Sequence, residues 1–283
     1  MSQLLWTQKQ DVGPAARSNS AMAFDSTKDR TLLFGGALAG PAGSTPSHDT
    51  WEWDGDNWTQ VADTGPRSRS DHALAYDSAR NRIVMFGGSS GSAYFNDTWE
   101  WDGTEWTQVE DTGPAQRSGM GMCFDSKRAL TVMFGGGAGT TRFNDTWVWD
   151  GTSWTQEDDG GPPPRTLHRM DYDSARSRIV LFGGNTLTTK QIQIQVANTG
   201  LFATGSHAEY RTVASFQYLN DTWEYDGTMW TRVEDIGPAP RDSFGFSYSG
   251  KVMLLFGGTD AGNAFRDTWQ WDGSNWTQRQ DIG

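Results

Sequence analysis

The chain of 283 residues carries 35 acidic and 23 basic side chains, a formal charge of −12, and a single cysteine, Cys123. With no run of Lys or Arg, that charge argues against nucleic acid and anionic membrane surfaces as partners, because phosphate groups are held by clustered cations. One cysteine excludes an internal disulfide, a thiolate metal cluster and a redox pair.

The first ten residues, Met1 to Gln10, lack a basic region followed by a long apolar run, so neither a signal peptide nor a membrane span is expected. A cytoplasmic location is the default expectation, with secretion left open. From Trp6-Thr7-Gln8 onward, 15 tryptophans recur at fixed intervals and call for a search for repeats. Arg17, Arg69, Arg117, Arg165 and Arg241 head five copies, separated by 52, 48, 48 and 76 residues. The glycine pairs after Phe34, Phe86, Phe134, Phe182 and Phe256 keep the same order, as do Trp51, Trp99, Trp147, Trp223 and Trp269.

Within the second copy, Ser70 to Tyr76 alternates and ends at Asp77-Ser78-Ala79-Arg80, which predicts a strand closed by a polar turn. Arg82 to Phe86 predicts a second strand, stopped by Gly87-Gly88. Thr98-Trp99-Glu100-Trp101 puts both indoles on one face of a third, Asp102-Gly103 signals a hairpin, and a fourth starts at Trp106. Each copy is thus an antiparallel meander of four strands. Such a sheet has two apolar faces and is stable only when copies stack radially. The third and fifth copies match the second in the stretch between the glycine pair and Asp-Thr-Trp, 8 residues each. The first has 12, and the fourth has 36, Asn185 to Asn220. In that insertion Gln191 to Val196 alternates and Arg211 to Phe216 reads as a second strand, so a hairpin arm is expected, either a binding element or decoration.

The Gly-Gly, Trp and Arg columns at these intervals resemble the kelch repeat, including the repeats of the galactose oxidase central domain, over nearly the whole chain. The resemblance implies an all-β fold, here a five-bladed kelch-type β-propeller with four antiparallel strands per blade and a hairpin-like insertion in blade 4. Blades are expected at approximately 17–58, 69–106, 117–154, 165–230 and 241–276, in one domain spanning 1–283. The family commonly has six or seven blades. A closed monomer is expected, with Trp6 to Gln8 as a spare outer strand beside the last blade. The five heading arginines are expected to pair with backbone or carboxylates between blades, and the Asp-Thr-Trp and Trp-Asp-Gly carboxylates to serve turns.

Chemistry is expected on the face of variable loops and at the hub. Three copies carry small residues there: Asn19, Ala21 and Ala23; Gly119, Gly121 and Cys123; Ser243, Gly245 and Ser247. The second places Asp71 beside His72, and the fourth has Leu167, His168, Arg169 and Asp171. Departures from a protein's own pattern mark candidate sites, so Asp71, Arg169, Asp171 and Asp242 are the ligand-binding candidates. A buried ion pair explains the same residues. His72 and His168 occupy a place where kelch repeats carry a packing histidine. The four histidines, His48, His72, His168 and His207, form no tight pair, so no metal and no cofactor are expected. The kelch-containing copper oxidases need a cysteine cross-linked to tyrosine; Cys123, at a small-residue position, resembles a packing residue instead. No nucleophile elbow, phosphate loop or dinucleotide fingerprint is present. The expectation is a non-catalytic recognition module for a protein or a carbohydrate. Two alternatives are a sugar-type isomerase or lyase at the hub, with His168 and Asp171 as catalytic candidates, and a structural module of a larger assembly.

Overall fold

In the second repeat, Ala73–Asp77, Arg82–Phe86, Thr98–Trp101 and Trp106–Glu110 pair antiparallel in chain order. Local chemistry closes each turn. Asp77 Oδ1 accepts the N–H groups of Ala79 and Arg80, and Asp102 Oδ1 those of Thr104 and Glu105. These are Asx turns, which Asp forms readily because its side chain reaches its own backbone two residues on. The computed structural model describes residues 12–40, 43–158, 160–197, 206–234 and 236–280. Five such four-stranded sheets occur among them, the others beginning at Ala21, Gly121, Arg169 and Gly245. No helix occurs there, and the all-β, kelch-propeller expectation holds. The Trp6 to Gln8 strand and the start of the chain lie outside the described residues.

Stacking follows the alternation of each strand. Side chains on one face of a blade meet the preceding blade and those on the other meet the next. Phe34, Phe86, Phe134 and Phe182, all 0 % exposed, abut the outer tryptophan of the following blade, Trp106, Trp154, Trp230 and Trp276, with ring centroids 5.1 to 5.3 Å apart. Those four indole N–H groups donate to Thr50, Thr98, Thr146 and Thr222 of the blade before. Large aromatics with a satisfied polar handle dominate core energetics, and here one residue type does this at four successive interfaces.

A second repeated device fixes the loop face. Arg165, fully buried, forms two hydrogen bonds of 2.8 Å to the Asp221 carboxylate, one to the Gly183 carbonyl and one to the Pro163 carbonyl. Arg17–Asp49, Arg69–Asp97, Arg117–Asp145 and Arg241–Asp267 repeat it. The pairs join two segments of one blade, so the expectation of arginine pairing between blades is corrected. The carboxylate is that of Asp-Thr-Trp, and its second oxygen also takes the indole N–H of the following Trp. The Asp-Thr-Trp aspartates therefore anchor an ion pair, whereas the aspartates before the hairpin glycines close turns as expected. The planar, five-donor guanidinium suits this fork; an ammonium would not.

Around the axis, Asn19, Asp71, Gly119, Leu167 and Ser243 all have left-handed backbones, with φ between 55° and 65°. Asp71, Gly119, Leu167 and Ser243 each donate a backbone N–H to the carbonyl of the preceding member. Left-handed geometry is costly for residues such as Leu, and the ladder over-determines it. Gly87 shows why each glycine pair is needed: its φ is 63°, and a Cβ there would lie 2.7 Å from the Arg117 carbonyl of the next blade. Between the fifth and first blades the described residues form no such link. The inner strands pack in succession from blade 1 to blade 5, and among the described residues the first strands of blades 5 and 1 make no packing comparable to that of the four successive pairs.

Burial would raise the five paired aspartates, but arginine hydrogen bonds and charge, with the indole N–H, outweigh it. Asp49, Asp97, Asp145, Asp221 and Asp267 all titrate below the ordinary carboxylate value. A carboxylate depressed in the folded state contributes stability above its unfolded pKa and loses it as pH falls. Denaturant midpoints are expected to be level near neutrality and to fall steeply below pH about 4. Arg165→Ala leaves a buried carboxylate unpaired and is expected to cost roughly 3 to 5 kcal/mol in urea unfolding.

Candidate functional site

The connections between second and third strands rise on the same side as the Arg-headed segments. They form short hairpins at Ser89–Ser90 with Ala93–Tyr94 and at Gly137–Ala138 with Thr141–Arg142. In blade 4 the connection becomes an arm of two 13-residue strands, Asn185–Ala197 and Ser206–Tyr218. Its pairing register, Gln193 with Tyr210, Gln191 with Thr212 and Leu187 with Phe216, puts these residues on one face of the arm. Phe216 is 58 % and Tyr210 68 % exposed.

At the arm's root lies a pocket of about 340 Å³ on the loop face. Asn19, Asp71, Asn185 and Asp242 supply its polar floor, while Tyr94, Phe216, Tyr218 and Arg142 form the aromatic and cationic wall. Arg142 is held by the Gly139 and Thr141 carbonyls and lies 6.0 Å from the Phe216 ring centroid. Asp71 accepts from Ser70 Oγ at 3.1 Å and Asn19 Nδ2 at 3.4 Å; burial dominates and raises its carboxyl above the ordinary value. Asp242 accepts from Asn185 Nδ2 and, at 3.3 Å, from Thr259 Oγ1.

The other candidates sit in the axial channel, a cavity of about 620 Å³ lined by the first strands of all five blades. Arg169 makes no ion pair among the described residues. Burial lowers its pKa, and the charges of Asp71 and Asp242 oppose that shift. Asp171 accepts the Tyr172 N–H at 2.8 Å and the Tyr248 N–H of blade 5 at 2.7 Å, so it ties two blades; burial still raises its carboxyl. Cys123 lines the same channel, 5 % exposed, and burial pushes its thiol well up.

His168 is 0 % exposed, edge-on to Phe134, and its Nε2 accepts the Gly121 N–H at 3.2 Å. His72 meets Phe34 in the same way, and Phe244 holds the equivalent place against Phe182. A position filled interchangeably by His and Phe is a packing position. Burial, then the charges of Arg69 and Arg165 respectively, lower both imidazoles, His72 to about 3.

The candidates thus divide between two levels: Asp71 and Asp242 in the pocket, Arg169 and Asp171 in the channel beneath. Sequence reasoning gave Asn185, Phe216 and Tyr218 only as parts of the expected arm, for which loop length was the signal, and missed Tyr94 and Arg142, which lie on loops of the ordinary 8 residues. Among the described residues no three His, Cys, Asp or Glu side chains group to hold a metal ion.

The KLHDC2/KLHL20/DRC7 kelch-repeats domain family matches residues 21–161. A comparison with curated proteins finds no match. Among solved structures, one described as "Structure of YjhT" is similar with a TM-score of 0.70 at 12 % identity, over 93 % of this chain and 84 % of that one; at that identity the likeness concerns the fold.

A buried imidazole depressed in the folded state gives stability above its unfolded pKa of 6.5 that is lost as pH falls toward about 3. His72→Phe is expected to reduce the fall in stability between pH 6.5 and 4 while leaving a folded protein at pH 8, measured by urea unfolding across pH.

Proposed function

The chain belongs to the kelch-repeat β-propellers, and we propose that it is a non-catalytic recognition module that binds a partner protein on its loop face. Propellers of this kind generally serve as protein-interaction modules, and fold alone does not choose a ligand. The observation that carries the reading is the pocket at the root of the arm. Two carboxylates, Asp71 and Asp242, lie on its floor beside the aromatic rings of Phe216, Tyr218 and Tyr94, with Arg142, held by the Gly139 and Thr141 carbonyls, as the cation of its lining. That combination suits a cationic side chain, which carboxylates attract and aromatic faces cradle. The −12 charge of the chain favours the same kind of partner. Exposed Tyr210, Phe216, Ile192 and Val213 give the arm apolar contact area beyond the pocket.

A carbohydrate is the second reading, supported by the same polar floor and by the glutamines on the arm face, since sugars offer hydroxyls to carboxylates and amides and a C–H face to aromatics. The hub enzyme reading has less support: His168 is enclosed, and both backbone bonds to Asp171 occupy it structurally.

Replacing Thr188 to Ser215 by an Asn-Gly turn is expected to leave the melting temperature within a few degrees and to weaken binding at least tenfold, assayed on arrays of Lys- and Arg-containing peptides and of glycans. Asp71→Asn with Asp242→Asn should do the same to peptide binding. Undiminished binding by the folded deletion variant overturns the role of the arm, and hits confined to the glycan array shift the reading to carbohydrate.

A further inference from the structure

In blades 2, 3 and 4 the residue after the glycine pair opens the connection to the third strand, and its partner across that connection stands at the pocket. The pairs are Ser89 with Tyr94, Gly137 with Arg142 and Asn185 with Tyr218, so two aromatic rings and one cation occupy equivalent places around the floor carboxylates. The backbone of Arg142 is set by a two-residue turn, Gly139-Thr140, in which Gly139 takes a φ of 58°. We propose that Arg142 binds a side-chain carboxylate of the partner, so that the pocket takes an acidic and a basic residue close together in one segment. The inference rests on the reading of this pocket as a site for a partner's cationic side chain.

The guanidinium of Arg142 is partly buried, and its Nη1 donates to the Gly139 and Thr141 carbonyls. Its Nε is buried without a partner, and Nη2, on the same edge of the group, has none among the described residues either. Arg80, Arg128 and Arg176, also partly buried, instead place Nε on the carboxylates of Asp77, Asp125 and Asp173. The edge left open on Arg142 is one that can receive a carboxylate through two parallel bonds. Burial lowers the pKa of Arg142 and Tyr94 opposes the shift, while neither Asp71 nor Asp242 contributes. The pocket thus holds a desolvated cation and two carboxylates on separate elements, and the carboxylates do not serve as its counter-ion.

That separation bears on the ligand. A segment with a basic group alone gains Asp71 and Asp242 but meets the charge of Arg142, which stays unpaired, and an uncompensated, desolvated charge is costly. A carboxylate near the basic group removes the repulsion and fills the Nε–Nη2 edge. Like-charge juxtaposition is a strong device against wrong partners, and Arg142 supplies it against segments that are basic throughout.

The test uses short end-capped peptides on a Gly-Ser background, each with one Arg or Lys and, one to four positions away, Glu, Gln or Lys. The chain is expected to bind the best Glu peptide about tenfold more tightly than its Gln counterpart, the scale of a hydrogen-bonded charge, and the Lys counterpart less tightly still. Arg142→Glu should invert this order, and Arg142→Gln should erase it, both with melting temperatures within a few degrees of the original, because the side chain bonds only its own hairpin. Asp71→Asn with Asp242→Asn should weaken every peptide and keep the order. Equal binding of Glu and Gln peptides by the original chain overturns the role of Arg142 and leaves the cationic reading standing, as does an order that survives Arg142→Glu. Glu peptides that bind as tightly with no Arg or Lys overturn the cationic reading, and binding by none of the peptides overturns both.

Discussion

Each blade depends on one buried guanidinium. Arg17, Arg69, Arg117, Arg165 and Arg241 each bind a carboxylate through two bonds and reach a glycine carbonyl as well. Through that one side chain, three segments far apart in sequence are fixed together: the entry to the first strand, the end of the second and the start of the third. Removing two charges from water is expensive, and only full geometric satisfaction offsets it. The Asp carboxylate meets this condition, because the Arg and the neighbouring indole fill both its oxygens.

With these anchors fixed, the loops above them can vary without disturbing the sheets. The arm of blade 4 extends from Asn185, whose backbone pairs with Thr166, next to the Arg165 anchor. Its first pair is therefore rooted beside the buried Arg165 anchor, and its exposed aromatic residues, Tyr210 and Phe216, lie on the strands that extend from that root. This is the usual division between scaffold and recognition loop. The pocket residues gain the same support: Asp71 belongs to the left-handed ladder, and Asp242 pairs through its backbone with Thr259.

Most of the fold was legible in the sequence because its constraints are periodic. Trp99 and Trp101, Asp102-Gly103 and the glycine pair each have a local physical cause that recurs five times, so each copy confirms the others. The role of Asp97 was not legible: a carboxylate before a strand suits a turn as well as an ion pair, and only the 28-residue separation closed in space distinguishes them. Of the site, Asp71, Arg169, Asp171 and Asp242 could be found by departure from the repeat. Arg142, Tyr94 and Phe216 could not, because loop residues obey no period and converge only when blades 2, 3 and 4 are placed side by side.

The central claim is that recognition belongs to the loop face. Hydrogen exchange of the chain, alone and saturated with its strongest peptide-array ligand, tests it directly. The account predicts slowed exchange in the 89–94, 137–142 and 185–218 segments, with the Asp-Gly hairpins at 102–105 and 150–153 unchanged. Protection centred on those hairpins, on the opposite side of the blades, would contradict it.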